Sequence, residues 1–511
     1  MATLTRAEAP GFAATPSPAA PVVPGLLWAP HLADVTQPGM AGLALWLAAR
    51  GADVTGSVDP ALRHDQVAGQ LTAAGVRVQS GFDAAHVGDD RTAVVWSGVA
   101  IGPHPELDRA QQLGVPVVAR AHALAEVCAG AGRPTVAVAG SHSTATAAAV
   151  LACVLDDGST GWILNAPANG VPAGYGGAGR LVVDLCPDTA THEAAPPGAW
   201  RHRPLGRAPY RSPALAVALI TAADANTPHY EDVIAGLDAA TSLARSAATV
   251  VLPTWEKSIK IVGERLCDRP GPRVVTVGLD ESADVWVMVP RWLGDCYHLT
   301  LRYEGVQHPF VVRIAGRHHA LAACAAIATA LVAGESAGHI AERLAGFEGV
   351  ERSLAVLGTR AWGTVVESRA RHPREVSQDI TAARMLTEGS VIAVLETDGV
   401  ARATGHAADL GSALGAADLA VLLPVSTPLS AVHTDDPLEA IAAAAADALG
   451  GSGAVHRIRS GPCEPSVEQV IHDLCAPDDL VLLIGTGQAT LLGPRLLNHR
   501  SAPEGATPDH L

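Results

Sequence analysis

Apolar and polar positions fall into two alternating kinds of block along this chain. Short apolar runs bounded by Gly, Pro, Asp or Ser read as buried strands. Longer Ala- and Leu-rich runs with helical spacing separate them. The run Gly25-Leu26-Leu27-Trp28-Ala29 predicts a first strand. Gly39 to Leu47 predicts a helix, and Gly51 to Ser57 ends that helix and opens a second strand, which makes a βαβ unit. Val94 to Gly98 and Val115 to Ala119 read as further strands. Between them Pro105-Glu106-Leu107 opens a helix, with Pro at its start and an acid in its first turn. Gly130-Ala131-Gly132-Arg133-Pro134 is a turn-rich joint.

Beyond the joint, Thr135 to Ala139 predicts a short buried strand running into a tight turn and an Ala-rich helix. Leu181 to Leu185 and Ala214 to Ile220 are again buried-strand runs. The connection between them, Ala194 to Pro213, is long, Pro-rich and basic. Gly316-Arg317-His318-His319 opens a third block with a long helix from about Ala320 to Ala333. Val391–Leu395, Leu419–Leu423 and Leu480–Ile484 then read as parallel strands, each following a helix. The fold class is therefore α/β in three domains. A Rossmann-like N-terminal domain spans 25–131, a central domain opened by a phosphate-loop-type turn spans 132–315, and a Rossmann-like C-terminal domain spans 316–500. Tails at 1–24 and 501–511 are Ala/Pro-rich or polar and are expected to be disordered.

A chain of 511 residues exceeds what one core supports, in keeping with several domains. Its 48% hydrophobic and 17% charged content marks it as globular. A formal charge of −16 argues against sequence-independent nucleic-acid binding, which needs basic surface, but leaves room for a small anionic ligand held by a few arginines. Lys257 and Lys260 are the two lysines, so none lies near residue 144. The eight cysteines show no Cys-x-x-Cys spacing, so neither a zinc knuckle nor a redox pair is expected, and reduced thiols fit a cytoplasmic protein. No secretory signal and no membrane span is expected, since the Ala-rich run near 440–448 is short and flanked by acids.

The residues Thr135 to Val150 have the layout of a phosphate-binding loop, in which backbone N–H groups at a helix N-terminus receive phosphates. Gly140, Ser141, His142, Ser143, Thr144, Ala145 and Thr146 are the candidate nucleotide contacts. Such a loop ends in Gly-Lys-Ser/Thr, with Lys on the terminal phosphates and the hydroxyl on Mg²⁺. Here those positions hold Ser143, Thr144 and Ala145. In the first domain, a dinucleotide-binding turn would carry Gly-x-Gly-x-x-Gly. The turn instead holds Asp34, Thr36, Gln37 and Pro38 before Gly39, and an acid there would repel a pyrophosphate. A dehydrogenase reading therefore has only the βαβ pattern behind it.

Several motifs, in one common order, resemble the Mur ligase family over roughly residues 25–495, nearest to its branch that joins L-alanine to UDP-N-acetylmuramate. Gly39-Met40-Ala41-Gly42 is similar to Gly-Met-Ser-Gly, and Gly51 to Ser57 to Gly-Tyr-x-Val-Ser-Gly-Ser. Pro105-Glu106-Leu107 and Gly114-Val115-Pro116-Val117 match Asn-Pro-Glu-Leu and Gly-Ile-Pro-Val. Gly316-Arg317-His318-His319 resembles Gly-Arg-His-Asn. Phe347 to Arg352 resembles Phe-x-Gly-Val-x-Arg, and Arg371-His372-Pro373-Arg374-Glu375 resembles His-His-Pro-Thr-Glu. Gly485-Thr486-Gly487 resembles Gly-Ala-Gly. The resemblance implies an ATP- and Mg²⁺-dependent ligase that makes an acyl phosphate on a UDP-muramoyl carboxylate and passes the acyl group to an amine, in peptidoglycan precursor synthesis. It also implies site residues: Gly39, Gly56, Ser57, Arg352, His372 and Glu375 toward a UDP-sugar or related anionic small molecule; His318 and His319 beside the loop toward ATP; Asp184 and Asp188 toward Mg²⁺; and Asp224, Arg352 and His372 as what remains of the catalytic set.

The departures concentrate at ligand positions. The family loop Gly-Thr-His-Gly-Lys-Thr-Thr-Thr reads here Gly140-Ser141-His142-Ser143-Thr144-Ala145-Thr146-Ala147. The acidic run Glu-Ala-Asp-Glu-Ser-Asp reads Asp184-Leu185-Cys186-Pro187-Asp188-Thr189, and Thr-Asn-Ile-Glu-x-Asp-His reads Thr221 to Thr227 with Asp224 for Glu. His319 replaces an Asn and Ser353 an Arg, while Glu367-Ser368-Arg369 replaces Asp-Asp-Tyr. Local alternatives stand beside the functional readings: His142 as a turn remnant, Thr146 as a helix residue, His372 with Glu375 as a helix cap, Arg352 in a salt bridge, and Arg201 to Arg211 as a solvated loop. Two functions of different class follow. One is a catalytically degenerate, pseudoenzyme-like ligase homologue acting by binding a protein partner or a modified ligand. The other is an active ATP-dependent amino-acid ligase of cell-wall or specialised-metabolite synthesis with a rebuilt phosphate site.

Overall fold

The computed structural model describes residues 23–498 apart from 38, 61–64, 98–103, 131, 169, 186–214, 225–232, 268–269, 398–399, 426–436, 459–465 and 486. The chain divides into two compact units, one reaching Glu351 and the other beginning at Arg352.

The first unit holds two sheets. The N-terminal sheet is all parallel, in the spatial order Arg77–Ser80, Thr55–Val58, Pro30–Leu32, Ala93–Trp96, Val117–Ala119. That order, with the first strand central, is the doubly wound arrangement expected of a Rossmann-like domain. The first strand lies later than the apolar run Gly25–Ala29 predicts. Gly25–Leu27 forms a 3₁₀ turn, closed by the Leu27 N–H donating to Pro24 O, and pairing starts at Pro30 opposite Ala93. A proline, which has no N–H to give a ladder, is tolerated at a strand's first residue. The helix Met40–Ala48 is buried at eight of its nine residues. A helix apolar on every side needs cover on every side. It packs against the strands Gly161–Ile163 and Gly174–Tyr175 as well as its own domain, and a Cβ on Gly42 would come within 2.4 Å of Leu164 O.

Among the described residues, the central sheet has ten strands. Five strands, Ala247–Pro253, Leu215–Ile220, Thr135–Ala139, Leu181–Asp184 and Gly161–Ile163, run parallel side by side in that order. Beyond Arg273–Gly278 and Val285–Trp292 the sheet turns antiparallel through Tyr297–Tyr303 and Val306–Val312. The helix Thr144–Val154 is buried at nine of eleven residues and packs against the helix Arg317–Val332, itself buried over almost its whole length. The sequence places this second helix at the opening of the third domain; here its Ala, Ile and Leu side chains fill the core of the central sheet.

The second unit is built on a six-stranded sheet in the order Ser353–Arg360, Gly363–Ser368, Leu480–Ile484, Val391–Leu395, Leu419–Leu422, Val455–Arg457, parallel except for the first strand. The two central strands are buried at every residue, as continuous aliphatic runs covered on both faces should be. The fold is α/β throughout. Among the described residues, no helix is long and apolar enough to cross a membrane.

Candidate functional site

The loop after the strand Thr135–Ala139 has a defined and crowded geometry. Gly140 sits at φ 154°, where a Cβ would meet Thr221 Oγ1 at 2.1 Å and Ala222 N at 2.8 Å. Thr221 Oγ1 donates to His142 O at 2.6 Å, and the Ser141 N–H donates to Ala222 O at 3.2 Å. Ser143, at φ 63°, precedes the helix that starts at Thr144. The adjacent strand Leu215–Ile220 therefore holds the loop down through its own C-terminal extension.

The same extension supplies Asp224. Its N–H donates to Ser141 Oγ at 3.2 Å, and its Oδ2 lies 3.2 Å from His142 Nε2, while His142 Nδ1 lies 3.1 Å from Ser143 Oγ. His142 is buried and Asp224 partly so. Glu256 follows the next strand, Ala247–Pro253, immediately before the helix Lys257–Cys267, and is also buried. One ligand atom each of His142, Asp224 and Glu256 lies within 4.8 Å of the other two. Three side chains thus converge from the carboxyl ends of three neighbouring parallel strands, the place where open α/β sheets form ligand crevices.

The ATP and Mg²⁺ that the family's chemistry calls for fit this donor set poorly. Thr144, 4% exposed, stands where a cation would meet the terminal phosphates, and Ala145 offers no oxygen to a metal. Asp224 and Glu256 bring carboxylates to the loop, Asp224 at the position of a family Glu. Asp184 closes the strand Leu181–Asp184, fully buried and opposite Val138. Asp188, the segment Ala225–Thr227 and the basic run Arg201–Arg211 lie outside the described residues. Thr146 Oγ1 lies 3.0 Å from His319 Nδ1, and the His318 and His319 rings are tilted by 40° with centroids 3.9 Å apart.

In the N-terminal sheet, Ser57 is fully buried. Its hydroxyl donates to Glu106 Oε2 at 2.7 Å and accepts from the Asp34 N–H at 3.2 Å. Glu106 also meets His31 Nε2 at 3.2 Å and His86 Nδ1 at 2.9 Å. Burial alone would raise the Glu106 carboxyl, but the contacts with His31, Ser57 and His86 outweigh it and hold the group below the usual carboxylate range. Asp34, at φ 57°, accepts from Gln37 Nε2 at 2.8 Å and Thr36 Oγ1 at 3.3 Å. Burial pushes its carboxyl up to about 6, against those hydrogen bonds. Gly39, at φ 81°, is packed so that a Cβ would meet Arg120 Nη1 at 2.2 Å, and the buried Arg120 donates to Asn165 Oδ1 at 2.9 and 3.2 Å. Gly56 abuts Val35.

In the second unit, His372 Nδ1 accepts from the Arg374 N–H at 3.3 Å and so caps the helix Pro373–Ala383, with Glu375 in its first turn. Arg352, at φ 58°, donates to Gly485 O, and its Nε lies 3.7 Å from Glu367 Oε2. Glu396, buried at the end of the strand Val391–Leu395, accepts from the Gln488 and Ala489 N–H groups at 2.8 and 2.7 Å. Glu256, His31, His86, Arg120 and Glu396 escape a reading of the sequence. For Glu256 a signal was present, since it follows a buried strand and immediately precedes a helix.

The model of the Mur ligase family's catalytic domain matches residues 38–131. The UDP-N-acetylmuramate–L-alanine ligase of Streptomyces avermitilis is 31% identical over 495 residues, covering 94% of this chain and 99% of that protein. The enzyme of the same name from Mycobacterium tuberculosis is 29% identical, covering 93% and 96%. Among solved structures, the UDP-N-acetylmuramate–alanine ligase of Thermotoga maritima superposes with a TM-score of 0.71 at 18% identity, covering 92% of this chain and 98% of that one. A murein peptide ligase of Psychrobacter arcticus gives 0.67 at 18% identity, covering 93% and 100%.

Proposed function

The chain belongs to the Mur ligase family, and from that premise we propose that it is a catalytically degenerate member that acts by binding rather than by making an amide bond. The observation that carries this reading is the phosphate loop: Thr144 and Ala145 stand in place of the cation and the metal-binding hydroxyl. Removing one preorganised electrostatic contact of this kind costs about 3–4 kcal/mol of transition-state stabilisation, or roughly 10²–10³ in rate. Groups that act as a unit lose more together than their separate costs suggest. The ligands in view are a UDP-sugar or related anionic small molecule at the N-terminal sheet and a protein partner. ATP with Mg²⁺ is expected to bind weakly or not at all.

The second reading, an active ATP-dependent amino-acid ligase, draws support from alignment with ligases over 94% of the chain. Calorimetric titration of the protein with ATP and Mg²⁺, then with UDP-N-acetylmuramate, separates the two. The degenerate reading expects no saturable heat from the nucleotide at millimolar concentration. Micromolar Mg²⁺-dependent nucleotide binding would favour the active ligase.

A further inference from the structure

We propose that His142, Asp224 and Glu256 form a binding site for a divalent first-row metal ion, Zn²⁺ in preference to Mg²⁺, that needs no nucleotide. The three ligand atoms lie within 4.8 Å of one another, and His142 Nε2 and Asp224 Oδ2 are 3.2 Å apart. Neighbouring ligands around an ion at about 2.0–2.2 Å stand some 3 Å apart or a little more, so small rotations of Asp224 and Glu256 complete the set.

Three features beyond proximity support the assignment. The first is rigidity. Each ligand leaves the carboxyl end of a different strand of one parallel array, and the loop is tied down by Thr221 Oγ1 to His142 O and by Ser141 Oγ to the Asp224 N–H. The second is an outer partner for the imidazole. Ser143 Oγ lies 3.1 Å from His142 Nδ1, so an ion taken up at Nε2 leaves Nδ1–H to donate to that hydroxyl, the outer-shell arrangement that orients a metal-binding imidazole. The third is charge. A neutral imidazole and two carboxylates sum to −2, which a dication neutralises in a site where His142 is 4% and Glu256 6% exposed. An imidazole suits Zn²⁺ better than Mg²⁺, which prefers oxygen and keeps its waters. The set occupies the loop but uses neither a loop hydroxyl nor Asp184. The inference holds whether or not the chain turns over ATP.

The test is titration of the chelator-treated full chain with Zn²⁺ against a chromogenic competitor, repeated with Glu256→Gln and His142→Asn, and with Co²⁺ as a spectroscopic probe. The expected result is one ion per chain at this site. Its affinity should fall more than tenfold in each variant, beyond the ~10-fold lower bound for losing an outer-shell partner. Mg²⁺ should compete weakly, and the Co²⁺ spectrum should lack a thiolate charge-transfer band. Glu256→Gln keeps the shape of the side chain, and matching circular dichroism and melting curves would show that it folds. Unchanged affinity in folded Glu256→Gln, a thiolate band, or equal competition by Mg²⁺ would overturn the proposal. None of these readouts uses ATP, so a failed metal site and a failed degenerate reading register in different assays.

Discussion

A methyl group on Gly140 would come within 2.1 Å of Thr221 Oγ1, at a backbone angle L-residues rarely adopt. Gly140→Ala is therefore expected to destabilise the protein by about 1–3 kcal/mol, read as a shift in the urea midpoint. Asp34 makes a prediction in pH. Its folded carboxyl, pushed up to about 6, lies above the ordinary value of ~3.9, so folding favours the protonated form. The stability this contributes is complete below pH ~4 and is lost as pH rises through about 6. Denaturation curves of the native chain and Asp34→Asn should diverge across that window and run parallel above it. Parallel curves from pH 4 upward would contradict the assignment. Thr144→Lys alone should restore no phosphate release, because Ala145 still lacks a metal ligand. At this scale the sequence singled out His142 by the phosphate-loop layout and Asp224 by the family resemblance. It did not show Glu256, whose approach depends on three strands lying side by side in one register.

At the scale of elements, strands were the most legible feature, since aliphatic runs closed by Gly and Pro mark buried parallel strands. The first strand was misplaced because the apolar run Gly25–Ala29 looks like a strand, while the pairing begins with a proline and includes the polar His31. The long Ala-rich helix was legible as a helix but its partner was not, because a helix apolar on all sides does not say which surface covers it. That partner is the helix Thr144–Val154, and Leu151→Ala within it should cost about 2–5 kcal/mol in chemical denaturation. The helix Ala489–Asn498 shows the reverse dependence, with its first N–H groups satisfied by a side chain from another strand. Glu396→Ala should cost about 1–3 kcal/mol by leaving those donors without their carboxylate.

Over the whole molecule, the doubly wound sheets, the aliphatic strands and the tight glycines keep the family's form, while residue types at the phosphate and metal positions do not. Interior residues answer to packing, which tolerates few changes without loss of stability. Ligand positions answer to a ligand, and a change there leaves the core intact. On the proposed reading this chain keeps the fold of a ligase without its phosphate chemistry. Inorganic phosphate release by the full chain with ATP, Mg²⁺, UDP-N-acetylmuramate and L-alanine, run beside one of the relatives named above, decides between the two readings. No release above the protein-free control is predicted, under conditions where the relative turns over. Release that depends on all three substrates, and persists after further purification, would contradict it.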